Sequence, residues 1–149
     1  MAVHKGYHCA YEIHYHLVFP VKYRKALISK TVEVELVRIG HEIEERYGLE
    51  IEQMGADTDH IHLLCSAHPK YSPGQIVRLY KSVTARELFK ALPQLKKELW
   101  GGEFWTDGYY VATVGERGDW AKVLAYKVLA YVAGQGQPVA PTQLRLFDL

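Results

Sequence analysis

Apolar and polar residues alternate along the chain with two different periods, and the switches between them outline seven elements. From Tyr11 to Phe19 the period is two. Tyr11, Ile13, Tyr15, Leu17 and Phe19 fall on one side, and Glu12, His14, His16 and Val18 on the other. This predicts a strand with one apolar face, ended by Pro20, after a loose start over Met1 to Tyr7. A helical stripe of Val34, Leu36, Val37, Ile39 and Ile43 follows, with Ser29 or Thr31 as its cap and Gly48 as its stop. Leu49 to Met54 alternates again, Leu49, Ile51 and Gln53 against Glu50, Glu52 and Met54. A turn over Gly55 to Asp59 leads into His60-Ile61-His62-Leu63-Leu64-Cys65. A second helix is expected from Pro73 to Phe89 or Lys90, striped by Ile76, Leu79, Tyr80, Val83 and Leu88. A Lys-rich linker over Pro93 to Gly102 precedes a fourth strand over Gly108 to Val114. Asp119 then caps a last helix from Trp120 to about Gly134. The tail from Pro138 shows no clear element.

The order strand, helix, strand, strand, helix, strand is that of an α+β, ferredoxin-like (RRM-like) antiparallel sheet with both helices on one face. Its first and third strands are then central neighbours. Their polar faces would gather His14, His16, His60 and His62 on the open side, where the extra C-terminal helix is free to cover them. At 149 residues, 48% apolar and 23% charged, the chain is expected to form a single domain over 1–149, with 136–149 as a tail. Two cysteines give neither a disulfide framework nor a zinc spacing, so a cytoplasmic setting is expected. No stretch reads as a membrane span, and a net charge of +1 leaves any basic surface local.

Candidate chemistry concentrates at two places. On a strand, His60 and His62 point to one face, and neutral imidazoles side by side are half of a divalent-metal site. On the last helix, Tyr131 and Gln135 lie one turn apart on one face. A Gln oxygen can join such an ion, and a tyrosine beside it can attack a phosphodiester. Lys22-Tyr23-Arg24 in the first loop, basic residues around a stacking ring, and the basic Arg78, Lys81 and Arg86 on the second helix are candidates for phosphate contact.

Together these features resemble the TnpA-type single-tyrosine HUH transposases of small insertion sequences (the 200/605 family, IS200-like). The resemblance runs through Tyr15-His16-Leu17-Val18-Phe19 with Lys22-Tyr23-Arg24, Asp59-His60-Ile61-His62-Leu63-Leu64, and Lys81-Ser82 with Ala85-Arg86. It continues through Leu99-Trp100-Gly101-Gly102, Phe104-Trp105, Gly108-Tyr109 and Thr113-Val114-Gly115 to Tyr131-Val132-Ala133-Gly134-Gln135. It implies that His60, His62 and Gln135 hold Mg²⁺ or Mn²⁺. Tyr131 would cut single-stranded DNA, leaving a 5′-phosphotyrosine link and a free 3′-OH whose reversal rejoins strands. It also implies a homodimer that binds hairpin DNA at the element's ends and shares its active sites between subunits.

One feature departs from the family pattern. Lys-Val-Leu-Ala-Tyr occurs twice in tandem, ending at Tyr126 and again at Tyr131. Counted from Thr113, Tyr126 occupies the usual place of the nucleophile; counted from Gln135, Tyr131 does. Five helical residues turn the face by roughly 140° and advance it about 7.5 Å, so one continuous helix cannot present both. Tyr131 is chosen because it alone keeps Gln135 one turn away, and Tyr126 is the alternative. The rival function is a catalytically impaired or domesticated hairpin-DNA-binding protein of the same fold.

Overall fold

The computed structural model describes residues 3–6, 8–99, 101–114 and 145–147. The helix expected over Trp120 to Gly134, with Tyr126, Tyr131 and Gln135, lies outside the described residues.

The centre of the fold is a five-stranded antiparallel sheet in the order β6-β3-β5-β4-β7, made by β3 (Tyr15–Pro20), β4 (Glu50–Ala56), β5 (His60–Ser66), β6 (Tyr110–Thr113) and β7 (Arg145–Phe147). The first four of these reproduce the ferredoxin-like order, with β3 and β5 as the paired central strands. Helices α1 (Lys30–Tyr47) and α2 (Pro73–Ala91) pack on one face. Leu17, Phe19, Ile61, Leu63 and Cys65 meet Leu36, Ile39 and Ile43 of α1 and Ile76, Tyr80 and Leu88 of α2 in one apolar core. Ser29, rather than Thr31, caps α1 by accepting from the Val32 N–H, and Gly48 ends that helix at φ 70°, where a side chain would be strained. Ser72 and Gln75 close a reciprocal capping box at the start of α2, with Pro73 as its first residue.

Four expectations are corrected. The N-terminal segment forms a separate ribbon, β1 (His4–Gly6) with β2 (Cys9–Tyr11), in which His4 stacks on Tyr11 at 5.1 Å. The strand expected from Tyr11 to Phe19 is therefore broken over residues 12–14, and the period of two ran across the break unchanged. The strand does end at Pro20, as expected, opposite His60. The Lys-rich linker holds a short helix, α3 (Gln94–Lys97), and the tail supplies β7, whose backbone pairs with β4 (Gly55 opposite Leu146).

The fourth correction sets up the site. In β4, Ile51 pairs with Cys65 but the next partner, Leu64, faces Gln53, so Glu52 is an extra, bulged residue. The bulge inverts the alternation beyond it. Ile51 and Met54 both enter the core, at 5% and 1% exposure, whereas strict alternation separates them. Gly55 is thereby delivered to the opposite face, directly across from His62.

Candidate active site

His60 and His62 project from β5 on the side away from the helices, as alternation requires. The face is not open at these positions: His16, His60 and His62 are 0%, 0% and 1% exposed, and His14 is 5% exposed. His62 lies between two strands, opposite Val18 on β3 and Gly55 on β4. Its ring fills the space a side chain at position 55 would need, since a Cβ there would fall 1.8 Å from Nε2. The ring of His16 stands edge-on to that of His62 at 5.7 Å between centroids, and that of Tyr110 edge-on to His16 at 5.8 Å. His14 is drawn toward the bulge, its Nδ1 2.5 Å from Glu52 Oε1.

The two imidazoles are prepared differently. Burial, with the nearby His16 and His60, drives the His62 pKa down to about 3, so its ring is neutral at physiological pH. Both of its nitrogens are buried without a hydrogen-bond partner among the described residues. His60 has one nitrogen engaged: Nδ1 lies 2.8 Å from Asp59 Oδ1, while Nε2 is buried and has no such partner. Asp59 Oδ2 in turn accepts from the Arg24 guanidinium at 2.7 Å. Burial pushes the Asp59 carboxyl up, but hydrogen bonds from His60 and Arg24 outweigh it and hold the group below the ordinary carboxylate value.

Buried polar atoms ordinarily find partners, and neutral imidazole nitrogens left facing one side of a strand suit a divalent cation. The residues present therefore fit the metal that the sequence resemblance implies. The described residues would contribute two donors; among them no group of three His, Cys, Asp or Glu side chains could hold an ion. Gln135, the expected third donor, lies outside the described residues.

The basic candidates divide between surface and interior. Tyr23 is 55% exposed, with the Lys22 ammonium 5.7 Å from its ring, and Lys22 pairs with Glu103 at 2.9 Å. Arg24 turns inward to Asp59, its side chain only 9% exposed. Arg78 and Arg86 are exposed on α2. Lys81 donates to the carbonyl oxygens of Thr106, Asp107 and Gly108 at 2.7, 3.1 and 2.9 Å, stapling the segment before β6 to α2. Burial lowers its pKa, and the nearby Asp107 carboxylate offsets this only in part. Arg78 and Lys81 also line a cavity of about 610 Å³ with Val77, Phe104, Trp105 and Tyr109. Thus Arg24 reaches His60 through Asp59, Lys22 and Tyr23 adjoin Arg24 in chain, and Arg78 and Lys81, without Arg86, line a separate concavity.

Sequence reasoning missed Asp59 and Gly55. A carboxylate directly before a His-x-His pair is the signal that points to Asp59. The expected strand stops at Met54, and only the observed pairing of β4 with β5 puts Gly55 in a strand, where glycine often marks close approach of another group.

A profile of the IS200-like transposase family matches residues 9–128, a stretch that includes Tyr126 and stops short of Tyr131. The ISDra2 transposase TnpA of Deinococcus radiodurans is 40% identical over 112 residues, covering 75% of this chain and 80% of that protein. The transposase of insertion sequence element IS200 from Salmonella typhimurium is 30% identical over 109 residues, covering 73% and 72%. Among solved structures, a candidate transposase from Deinococcus radiodurans R1 superposes with a TM-score of 0.76 at 32% identity, over 89% of this chain and 97% of that one. A REP-associated tyrosine transposase bound to a REP hairpin shares the fold, with a TM-score of 0.55 at 11% identity over 91% and 75%.

Proposed function

Because the chain belongs to the IS200-like transposase family, we propose that it cuts and rejoins single-stranded DNA at the ends of its element through a covalent 5′-phosphotyrosine link. His60, His62 and Gln135 would hold Mg²⁺ or Mn²⁺, and Tyr131 would be the nucleophile. The observation that carries this reading is the buried imidazole pair, neutral at His62 and with ring nitrogens unpartnered among the described residues at both positions.

When bound, the cation supplies Lewis acidity, polarising a phosphoryl oxygen and stabilising the charge that develops on it. The protein supplies position and exclusion of water. The burial of β5 keeps solvent from both imidazoles, and Asp59 fixes the ring of His60. The phenol of Tyr131 attacks phosphorus, its oxygen forms the new P–O bond, and the 3′-oxygen leaves and takes up a proton. Attack by another 3′-OH reverses the step, so joining requires no outside energy source. Lys22, Tyr23, Arg78 and Arg86 would meet phosphates and bases, and hairpin DNA is the expected partner, a reading supported by the hairpin bound to the REP-associated transposase of similar fold. A homodimer with active sites shared between subunits is expected from the same resemblance.

The test incubates the protein with single-stranded DNA from the flanks of its own gene, with and without Mg²⁺, and maps covalent adducts by mass spectrometry. A Mg²⁺-dependent tyrosyl–DNA adduct is expected. Hairpin binding with no adduct would instead establish the second reading, a DNA-binding protein impaired in cleavage, which the tandem Lys-Val-Leu-Ala-Tyr segment favours.

A further inference from the structure

The Arg24 guanidinium, the Asp59 carboxylate and the His60 ring form a chain of two short contacts, 2.7 Å and 2.8 Å, leading away from the candidate cation site into the fold. We propose that Arg24 and Asp59 are positioning residues that hold His60 as its Nδ1–H tautomer, keeping the Nε2 lone pair free for the divalent cation. This inference rests on reading the histidine pair as cation ligands.

The geometry gives the chain a direction. A carboxylate facing a guanidinium can only accept hydrogen bonds, so its other oxygen requires a donor at His60 Nδ1. In the neutral ring Nε2 then carries the lone pair, and it is the nitrogen left buried without a partner among the described residues. Ligating histidines commonly have their second nitrogen fixed in this way by a carboxylate, which also makes the ligand more basic. Asp59 alone, next to His60 in sequence, could rotate toward solvent; the clamp from Arg24 prevents it, with the two side chains only 9% and 12% exposed.

Arg24 reaches this position through an unusual backbone. In the short 3₁₀ turn Lys22–Arg24, both Tyr23 (φ 59°) and Arg24 (φ 51°) occupy the left-handed region without being glycine. The turn is fastened on both sides: Val21 N–H donates to the Asp59 carbonyl at 2.8 Å, Lys22 N–H to that of Phe104 at 2.8 Å, and Ile28 N–H to that of Thr58 at 2.9 Å. Consecutive left-handed residues turn Tyr23 outward and Arg24 inward. The cluster Lys22-Tyr23-Arg24 is thus split, with Tyr23 55% exposed and Arg24 turned in to support the site.

The test compares the full chain with Asp59→Asn and Arg24→Lys, using side-chain ¹⁵N NMR of the histidines and Mn²⁺ binding followed by EPR without DNA. In Asp59→Asn, Arg24 claims the amide oxygen and the amide NH₂ turns to His60. Nδ1 must then accept, and the proton moves to Nε2. The expected result is a switched His60 tautomer and Mn²⁺ binding weaker by about 10–100-fold, with the fold retained by circular dichroism. Arg24→Lys keeps a cation beside the carboxylate and is expected to preserve both the Nδ1–H signature and most of the affinity. A folded Asp59→Asn protein with an unchanged His60 tautomer and unchanged Mn²⁺ affinity would overturn the proposal. If the unaltered protein binds no Mn²⁺, the cation reading fails, while the tautomer spectra still decide the positioning role.

Discussion

Gly55 runs beneath the imidazole of His62 so closely that a methyl group on its α-carbon would lie 1.8 Å from Nε2. The two residues are direct partners across β4 and β5, so their side chains point to the same face and compete for the same volume. Glycine here is a steric requirement of the site rather than of the backbone angle.

Gly55→Ala is therefore expected to displace the His62 ring. Inserting a methyl group into a packed site typically costs about 1–3 kcal/mol, and a shift of the ring separates the two imidazoles. Both the urea midpoint and Mn²⁺ affinity should fall. Unaltered metal affinity in the Gly55→Ala protein would show that the ring has another place to go.

Acid should destabilise the metal-free protein in two stages. The folded chain holds His62 at about 3, against 6.5 ordinarily, so between those values the unfolded chain binds the extra proton. Stability from this group is complete above pH 6.5 and is lost as pH falls from there toward 3, by up to about 1.4 kcal/mol per pH unit. Asp59 adds a second stage in the same direction. Its contribution is present above the ordinary 3.8 and is lost as pH falls through its lowered folded value. Urea midpoints measured from pH 7 to pH 5 should decline, and a level profile would mean that His62 titrates normally.

Thr84 is expected to matter through its hydroxyl. Its Oγ1 donates to the Tyr80 carbonyl at 2.6 Å and accepts from Trp105 Nε1 at 2.9 Å, in a site where Thr84 is 0% exposed. Thr84→Val keeps the shape and strands the buried indole N–H, for a loss of about 1–3 kcal/mol in denaturant unfolding. Trp105 also forms a β-bridge with Val21, the residue after β3, so tryptophan fluorescence should report the same transition.

The identity of the nucleophile is open to direct test. Tyr131→Phe is expected to abolish the tyrosyl–DNA adduct, whereas Tyr126→Phe should leave it intact. The opposite pattern would assign the chemistry to Tyr126, the copy inside the stretch matched by the family profile.

Much of this molecule is decided by local pattern. The alternation in β3 and β5, the stripes of α1 and α2, Ser72 before Pro73 and Gly48 after Tyr47 specify the ferredoxin-like order without reference to any distant residue. Period-two geometry likewise puts His60 and His62 on one face before any contact is known. Contacts between distant segments decided the rest. The bulge at Glu52 exists only through pairing with β5, and it alone carries Gly55 under His62. Arg24, in a cluster that reads as solvated and basic, is turned inward because Asp59, thirty-five positions away, offers a carboxylate. Lys81, on a helix face that reads as basic, is consumed by three carbonyl oxygens of a loop some twenty-five residues later. Sequence fixes which side chains can share a face, because backbone periodicity is local. Which charge finds which partner depends on desolvation and reach across the fold, and those exist only once the chain has closed on itself.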